Sequence, residues 1–380
     1  MEVGTMEILN NTFLQFFSQL QDPRLNNANK KHLLIDIIAI TVCAVICGYG
    51  TWEEISYYGE EKKSWLKKFL KLPNGIPSHD TFRRIFMILD PKEFNRCFLD
   101  WTASFRKSRQ GEVIAVDGKT ICGSGDPGLG KRAIHMVSAW ATENGIVLGQ
   151  EKVDEKSNEI TAIPEVLKSI NIKDCTVTID AMGCQTEIAS QIISQKGNYV
   201  LALKKNQQSF YERVEQAFGR GFEADFKGMD YDYWQTIDEK RGRHEERNYF
   251  TIKNIEFLNR SKEWEGLSSI GLAESIVNRN GSVSIEKRYY ISSLSGNARE
   301  FGEAVRKHWQ IENNLHWVLD VQFGDDDDVK RSKNSAANFS MAKRIALNLL
   351  KSNSDPGKLK KKRMKAVMNN QFLEKLLLGG

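Results

Sequence analysis

Apolar residues in the first third of the chain recur at helical spacing. Leu33–Gly48 is a nearly continuous apolar run, and Trp52–Leu70 is amphipathic, which predicts two helices. A third helix is predicted over Asp80–Leu89, directly after the start signal Pro77-Ser-His79. Residues 1–110 are therefore interpreted as a helical N-terminal domain. Two roles fit it equally, a DNA-binding module or a helical domain that only packs on the rest of the chain, because no recognition-helix pattern is decisive.

From residue 112 the pattern changes to short β-rich runs separated by turn residues. The predicted elements are strands at 113–116, 133–141 and 146–153, a helix at 159–170, a strand at 175–179, a helix at 186–196 and a strand at 199–204. This order, βββαβαβ, is that of the ribonuclease H-like fold, an α/β fold in which the first and fourth strands are neighbours in a mixed sheet. Residues 111–204 are interpreted as the first part of such a core.

The next segment, 205–296, is predicted to be a β-rich insertion. It has one helical piece, 209–218, and four strand-like runs, at 234–237, 248–252, 270–277 and 285–292. The core then returns over 297–350 with a long helix from Ala298 to about Leu319. Its apolar stripe, at steps of four and three residues, is Phe301, Val305, His308, Glu312, Leu315 and Leu319. The stripe predicts that Glu312 points toward the core.

Three carboxylates stand where a solvated acid is not expected. Asp117 follows the apolar run 113–116, Asp180 follows the run 175–179, and Glu312 lies in the helical stripe. A carboxylate in apolar surroundings is protonated, paired or bound to a metal ion. The fold order places the two aspartates at the ends of neighbouring strands, so the three groups are predicted to form a divalent-cation site. Taken singly, Asp117 also fits an ordinary strand-ending turn and Asp180 a helix cap.

Composition adds a charge asymmetry to this picture. The chain has 380 residues, 41% of them hydrophobic, which is enough for the cores of more than one domain. Its net charge of +5 conceals a basic end, since residues 329–380 carry 13 Lys+Arg against 2 Asp+Glu, whereas residues 111–328 carry 26 against 35. The last part, 351–380, is interpreted as a basic C-terminal tail. It suits phosphate neutralisation on a nucleic acid, although solvated basic tails also occur on proteins that bind none.

Cysteines and apolar runs bear on the location of the protein. The six cysteines form no CxxC pair, which fits a reducing cytoplasm and does not fit a zinc site. Residues 1–5 lack a basic region followed by an apolar one, so we expect no signal peptide. The most apolar segment, 33–48, contains Asp36 and is shorter than the roughly 20 apolar residues of a spanning helix. We therefore expect a buried helix, no membrane partner and a cytoplasmic protein.

Several long motifs resemble those of insertion-sequence DDE transposases of the H-repeat-associated, Rhs-linked type. They are Ile114–Thr120, Asp154–Pro164, Thr178–Gln185 and His308–Trp317, and Gln21–Arg24 and Gly75–Thr81 resemble the family's helical N-terminal region. The resemblance thus covers nearly the whole chain. It implies that Asp117, Asp180 and Glu312 are the catalytic residues of a metal-dependent nuclease and strand transferase that acts on the ends of its own element.

The chemistry of such a reaction matches these residue types. Phosphodiester hydrolysis and the joining of the freed 3′-hydroxyl are in-line displacements at phosphorus, which two Mg²⁺ (or Mn²⁺) ions held by carboxylates assist. We expect Asp117 to bridge both ions, with Asp180 and Glu312 each binding one. The expected partners are double-stranded DNA and a second copy of the chain, because two element ends must be joined. The alternatives are a catalytically silent DNA-binding descendant and a nuclease that cleaves without joining.

One departure concerns the surroundings of Glu312. In related transposases a Tyr and an Arg precede this Glu by seven and four residues and a Lys follows it by seven, whereas this chain has Val305, His308 and Leu319. The candidate substitutes are His308, His316, Arg306 and Lys307. The candidate DNA contacts are Lys119, Lys204, Asn206, Gln207, Arg243, His308, Lys360, Lys361, Lys362 and Arg363. As solvated charges and amides, these residues need no function.

Two further features receive a structural interpretation. The run Asp325–Asp328 is interpreted as a solvated acidic segment and not as a metal site, because nothing fixes it on a rigid element. Trp309 and Trp317 flank Glu312 and have two possible roles, stacking on a flipped base or packing in the core. Core packing is the favoured interpretation.

Overall fold

The computed structural model describes residues 13–26, 30–153, 158–240, 242–258 and 263–378. Its helices are α1 (Phe13–Phe17), α2 (Leu34–Cys47), α3 (Trp52–Leu66), α4 (His79–Ile88), α5 (Pro91–Phe105), α6 (Glu159–Ser169), α7 (Thr186–Ser194), α8 (Gln208–Glu223), α9 (Ala298–His308), α10 (Trp317–Phe323), α11 (Ser335–Ser352), α12 (Leu359–Met368) and α13 (Asn370–Leu378). Its strands are β1 (Val113–Ile121), β2 (Ile134–Ala141), β3 (Ile146–Lys152), β4 (Thr176–Ile179), β5 (Asn198–Leu203), β6 (Tyr231–Lys240), β7 (Arg243–Ile252), β8 (Ser269–Arg279) and β9 (Ser282–Ser292). The motif residues 154–157 and Arg241 lie outside the described residues.

One mixed sheet organises the described part of the chain. Its strand order is β3-β2-β1-β4-β5-β9-β8-β7-β6. β1 pairs antiparallel with β2 and parallel with β4, and β4 pairs parallel with β5. The predicted ribonuclease H-like order is confirmed, including the adjacency of the first and fourth strands.

The strands of segment 205–296 lengthen this sheet. β9 pairs antiparallel with β5, with Leu201 opposite Ile291, and β8, β7 and β6 follow outward by antiparallel pairing. All four predicted strand runs of the segment fall within these strands, which begin earlier or end later than the apolar pattern alone indicates. The core sheet and the segment are thus continuous through backbone hydrogen bonds.

Side-chain alternation along β1 divides the interior into two main cores. Ile114 and Val116 face α6, α7 and α8, whereas Ala115 faces the opposite way. On that opposite side the helices of the N-terminal region pack together with those of the C-terminal region. Phe13 from α1 and Leu373 from α13 belong to this one core. The two ends of the described chain therefore meet on the same face of the sheet.

Helix α2 lies in the middle of that helical core, with nearly all of its side chains buried. Its one acid, Asp36, is 1% exposed and accepts a hydrogen bond from the backbone N–H of Leu72 at 3.0 Å. The next helix, α3, begins with a capping box between Thr51 and Glu54. Among the described residues no single helix is long and apolar enough to cross a membrane. The pair α2 and α3 passes that test only jointly and is bent by 99°.

Candidate active site

Asp117 and Asp180 lie on adjacent strands at the point where parallel pairing stops. The last paired residues of β1 and β4 are Val116 and Ile179, so the next residue of each strand is an aspartate. Asp180 directly follows β4, as predicted. The expectation that Asp117 ends its strand is wrong, because β2 continues to pair with β1 on its other side as far as Ile121. Asp117 therefore lies inside β1, with strand residues both before and after it.

Glu312 lies where the predicted long helix is interrupted. α9 ends at His308, Trp309 forms a turn, and residues Glu312–His316 form a π-helical turn before α10. Each π turn contains an extra residue, which rotates the side chains relative to an unbroken α-helix. Leu315 and His316 are buried as a result, whereas Glu312 is exposed at the surface of the helix. The prediction of an inward-pointing Glu312 on a continuous helix is wrong in this respect, although Asp117 is close enough to help raise the pKa of Glu312.

Two histidines approach Asp117. His316 is 4% exposed, and its Nε2 lies 3.3 Å from Asp117 Oδ2. Within the described residues neither ring nitrogen of His316 has an aligned hydrogen-bond partner. The His308 Nδ1 lies 3.0 Å from Thr178 Oγ1 on β4. Burial lowers the pKa of His308, and the negative charge of Asp117 opposes this effect.

The three carboxyl groups have different electrostatic surroundings. Burial disfavours the charged form of Asp117, but His316 and His308 outweigh it and lower the pKa of Asp117. The pKa of Asp180 is raised, first by burial and then by the negative charges of Glu159 and Asp117. Burial also raises the pKa of Glu312, with Asp117 adding to the effect and His316 opposing it. The site thus concentrates more negative charge than its neighbouring imidazoles neutralise.

This charge balance is the test of whether a divalent cation fits. Carboxylate oxygens are the ligands that Mg²⁺ and Mn²⁺ prefer, and mutual repulsion of the carboxylates is relieved by a cation. The donor chemistry fits. Among the residues that the structure describes, however, no group of three or more His, Cys, Asp or Glu side chains has metal-binding spacing. Asp117 is the member that interacts with both of the others.

The loop after Asp180 is held by the segment that follows β5. The backbone N–H of Met182 donates to Asp180 Oδ1 at 3.0 Å. Asn206 donates its side-chain N–H to the carbonyl of Ala181 at 2.6 Å, and Gln207 donates to the carbonyl of Cys184 at 3.2 Å. These two predicted DNA contacts support the backbone beside Asp180, while Lys204 remains exposed.

Lys119, two residues after Asp117, is committed to two ion pairs. Its Nζ lies 2.8 Å from Asp320 Oδ1 and 2.8 Å from Asp326 Oδ1, and it is 9% exposed. It therefore ties β1 to the end of α10. Arg243, another predicted DNA contact, is partly exposed on β7 and pairs with Glu245 at 2.9 Å.

Two of the candidate substitutes for the missing family residues are engaged elsewhere. Arg306 lies 3.4 Å from Asp238, and Lys307 forms an ion pair with Glu143. His308 and His316 are the candidates that reach Asp117.

The basic C-terminal residues fall into two classes. Lys360 and Lys361 are exposed on α12. Lys362 is buried and donates to the carbonyls of Leu350 and Asn353, at 3.1 and 2.6 Å. Arg363 donates to the last carbonyls of α2, those of Val45 and Ile46, at 3.1 and 3.0 Å. Within the segment predicted as a tail, residues 359–378 are folded into α12 and α13.

The acidic run Asp325–Asp328 is largely buried or ion-paired. Asp325 is 1% exposed and lies 3.1 Å from Lys343, which also forms an ion pair with Asp328. Lys330 pairs with Asp328 and donates to the carbonyl of Gly50 at 2.6 Å. The interpretation of a solvated run is wrong, because Lys343 of α11 and the nearby Lys330 supply buried cations.

The two tryptophans beside Glu312 are exposed, so the favoured core-packing interpretation is also wrong. Trp309 is 43% exposed and is covered on one face by the guanidinium of Arg288, 4.1 Å from the ring centre. Trp317 is 54% exposed. Both lie beside the π turn, whose extra residue changes the direction of every neighbouring side chain.

A pair that sequence reasoning missed lies next to these groups. Glu159, the first residue of α6, forms an ion pair with His135 of β2, whose Nε2 is 2.6 Å from Glu159 Oε1. The other ring nitrogen of His135 lies 2.8 Å from Thr120 Oγ1. The sequence feature that could have drawn attention to Glu159 is its place at the start of the first helix after the three leading strands.

Comparison with known proteins gives matches along nearly the whole chain. Residues 108–349 match the family described as "Transposase DDE domain", and residues 14–102 match that described as "DDE_Tnp_1-associated". "Putative transposase YncI" of Escherichia coli O157:H7 is 43% identical over 96% of this chain and 94% of its own length. "H repeat-associated putative transposase YhhI" of Escherichia coli strain K12 is 38% identical over 92% of this chain and 93% of its own length.

Two matches are more limited. "Inactive transposase YbfQ" of Escherichia coli strain K12 is 46% identical over 14% of this chain and 64% of its own length. A piggyBac transposase in a synaptic complex with hairpin DNA shares 10% identity and a TM-score of 0.44, over 98% of this chain and 79% of that one. The family matches and the full-length relatives agree with the motifs and with the strand order. The chain belongs to the DDE transposases, of the type associated with H repeats.

Proposed function

We propose that this chain is a catalytically competent transposase that cleaves DNA at the ends of its element and joins the freed 3′-hydroxyl to target DNA. Asp117, Asp180 and Glu312 are its catalytic residues and hold divalent metal ions, Mg²⁺ or Mn²⁺, two in number. DDE transposases in general use divalent metal ions, and the donor set here has the right chemistry. This proposal makes the protein a phosphodiester hydrolase and transesterase.

The observation that carries the proposal is that Asp117 interacts with two further carboxyl groups, Asp180 and Glu312, which come from two other elements. β1 supplies Asp117, the end of β4 supplies Asp180, and the π turn supplies Glu312. The pKa of Asp180 is raised by burial and by neighbouring carboxylates, as expected where negative charges are crowded without full neutralisation. Such crowding of negative charge destabilises the fold, so a purely structural role would not explain it.

The protein's own residues have definite tasks in this reaction. Bound metal ions would stabilise charge on the attacking and leaving oxygens. Asp117 interacts with both of the other carboxyl groups, so it would hold metal ions together with Asp180 and Glu312. The hydrogen bonds from Asn206 and Gln207 hold the loop that carries Asp180. Lys119 fixes the distance between the strand of Asp117 and the helix that follows Glu312.

Double-stranded DNA is the proposed substrate, and the described surface offers basic groups for its backbone. Lys204, Lys360 and Lys361 are exposed and remain candidates for phosphate contacts. Lys362 and Arg363 serve internal hydrogen bonds. A homodimer follows from the need to join two ends, and a cytoplasmic location with access to the chromosome follows from the substrate.

The experiment uses linear DNA that carries the terminal repeats found in the flanking genomic sequence. With Mg²⁺, the proposal expects nicks at the repeat boundary and joined products with added target DNA. Binding without cleavage in either Mg²⁺ or Mn²⁺ would favour a silent descendant that only occupies the ends. Cleaved ends that are never joined would identify a nuclease.

A further inference from the structure

We propose that Glu159 is a fourth carboxylate of the metal site, held against Asp117 and Asp180 by His135. This inference rests on the proposed function, because it extends the same site. The ligand is a hard divalent cation of the size of Mg²⁺ or Mn²⁺.

The backbone of β1 shows how close Glu159 comes. Gly118, the residue after Asp117, has no side chain, and a Cβ placed there would collide with the Glu159 carboxylate and with the His135 ring. The absence of a side chain at this position therefore allows Glu159 to lie directly against the strand that carries Asp117. Glu159 also faces Asp180, since its negative charge disfavours ionisation of that group more than the charge of Asp117 does.

Helix α6 fixes the direction from which Glu159 arrives. Asn158 caps the helix by accepting a hydrogen bond from the backbone N–H of Ile160 at 3.1 Å, so Glu159 occupies the first helical position. A carboxylate at this end is favoured by the helix dipole. Its side chain is 19% exposed, so it lies partly in the interior and partly at the opening of the site.

A second observation, independent of Gly118, concerns the histidine beside Asp117. The buried His316 points Nε2 at Asp117, 3.3 Å from Oδ2, and within the described residues it has no aligned hydrogen-bond partner. The permanent positive charge of Lys119 is shared between Asp320 and Asp326. Asp117 thus interacts with the carboxyl groups of Asp180 and Glu312, and Glu159 adds a further carboxylate beside Asp180.

The pair His135–Glu159 has a specific task in this arrangement. Thr120 on β1 faces the other nitrogen of His135, so the imidazole is held between β1 and α6. Such a histidine orients a carboxylate toward a metal position, in the way that outer partners orient metal ligands in general. Glu159 then supplies an oxygen to the cation beside Asp180.

The test compares Mn²⁺ binding by the full-length protein and its Glu159→Gln variant, by titration calorimetry without DNA. The inference expects Mn²⁺ affinity to fall by on the order of tenfold in Glu159→Gln. The matched control is Glu165→Gln on the same helix, where the glutamate is exposed and pairs with Lys168. That control should bind Mn²⁺ like the parent protein.

A second measurement uses the parent protein, so it does not require that a variant folds. Fe²⁺ bound in place of Mg²⁺ reduces added hydrogen peroxide to hydroxide and hydroxyl radicals, which cut the backbone nearby, and ascorbate returns the Fe³⁺ to Fe²⁺. Cuts beside Asp117 and Asp180 with a third set at the start of α6 would support the inference. Cuts at the two aspartates but none near residue 159 would overturn it, as would unchanged Mn²⁺ affinity in Glu159→Gln when Asp180→Asn loses binding. In both of those cases the proposed function stands; a parent protein that neither binds Mn²⁺ nor cleaves DNA overturns both.

Discussion

The carboxylates of the candidate active site and those of the run 325–328 differ in what neutralises them. Asp325 and Asp328 are paired with Lys343, which is as deeply buried as Asp325 itself. Asp117 is faced by the imidazoles of His316 and His308, and Asp180 is faced by the carboxylates of Glu159 and Asp117. Both groups are acidic and largely withdrawn from water, but only the run 325–328 is neutralised by lysine.

This contrast separates an acidic cluster that is paired with lysine from the one for which we propose a bound cation. The density of Asp residues in the sequence points to the run 325–328, where four aspartates are consecutive. In the fold, however, it is the consecutive aspartates that pair with lysine. Asp117 and Asp180, which are far apart in the sequence, are faced by imidazoles or carboxylates. The distinction between the two clusters is tested by removing a charge from either of them or from a surface outside both.

The largest effect is expected from neutralising the active-site acids. Asp117→Asn, Asp180→Asn and Glu312→Gln each keep the shape of the side chain but remove a metal ligand, so DNA cleavage in Mg²⁺ should fall by more than about 100-fold. Asp320→Asn is the comparison variant, because Asp320 of α10 pairs with Lys119 of β1 and is not a proposed ligand, so its loss should lower cleavage far less. Gel assays on terminal-repeat DNA measure the rates. Should Asp320→Asn abolish cleavage while Glu312→Gln retains it, the assignment of the third acid is wrong.

The next largest effect concerns the paired cluster. Lys343→Met removes the buried cation shared by Asp325 and Asp328, which leaves uncompensated charge and should lower the free energy of unfolding by about 3–5 kcal/mol. Urea denaturation measures this value. Lys361→Met, on the exposed face of α12, should change it by less than about 0.5 kcal/mol. Equal losses in the two variants would show that the run 325–328 does not depend on its lysine.

A smaller effect is expected in the pH dependence of metal-free stability. The pKa of Asp180 is raised in the folded protein by burial and by neighbouring carboxylates, so the folded state binds this proton more tightly than the unfolded state. Its contribution therefore disfavours folding as pH rises through the range above the ordinary aspartate pKa of about 3.9. In chelator, Asp180→Asn should melt higher than the parent protein at pH 7, with a smaller difference at pH 4. A variant that melts lower at pH 7 would contradict the crowding of charge at this site.

The smallest effect is expected at the surface. Replacing Lys360 and Lys361 by Ala removes two exposed charges and should flatten the plot of log affinity for DNA against log salt by up to about 0.9 for each phosphate that is no longer neutralised. Fluorescence anisotropy at several salt concentrations gives the slope. An identical slope in the variant would show that this face of α12 does not touch DNA.

Local patterns were sufficient for the framework of the site. Apolar runs with flanking turns predicted β1, β4 and β5, and the order of elements predicted that Asp117 and Asp180 are neighbours. These inferences hold because a strand's side-chain pattern and its place in the order are properties of short stretches. The same reasoning predicted the four later strand runs but not that they continue the sheet, since edge pairing depends on backbone partners about 90 residues apart, such as Leu201 and Ile291.

Other features depend on partners that the local pattern does not reveal. Apolar spacing assumes 3.6 residues per turn, so it cannot detect the π turn at Glu312–His316, which moves Glu312 outward and His316 inward. The burial of Asp325 depends on Lys343, a residue on another helix. Glu159 gave no signal of its own, because its importance comes from the missing side chain of Gly118 across the fold.

The bonds from Arg363 to Val45 and Ile46 have a consequence for the order in which the protein is made. The helix near the start of the chain has its final carbonyl groups bonded by a residue that is synthesised more than 300 positions later. Domains usually fold as they leave the ribosome, beginning with the first one synthesised. Here the end of α2 obtains these bonds only after residue 363 has been synthesised. A gene copy that ends before codon 363 would therefore encode a chain that retains Asp117, Asp180 and Glu312 but lacks the residue that closes the end of α2.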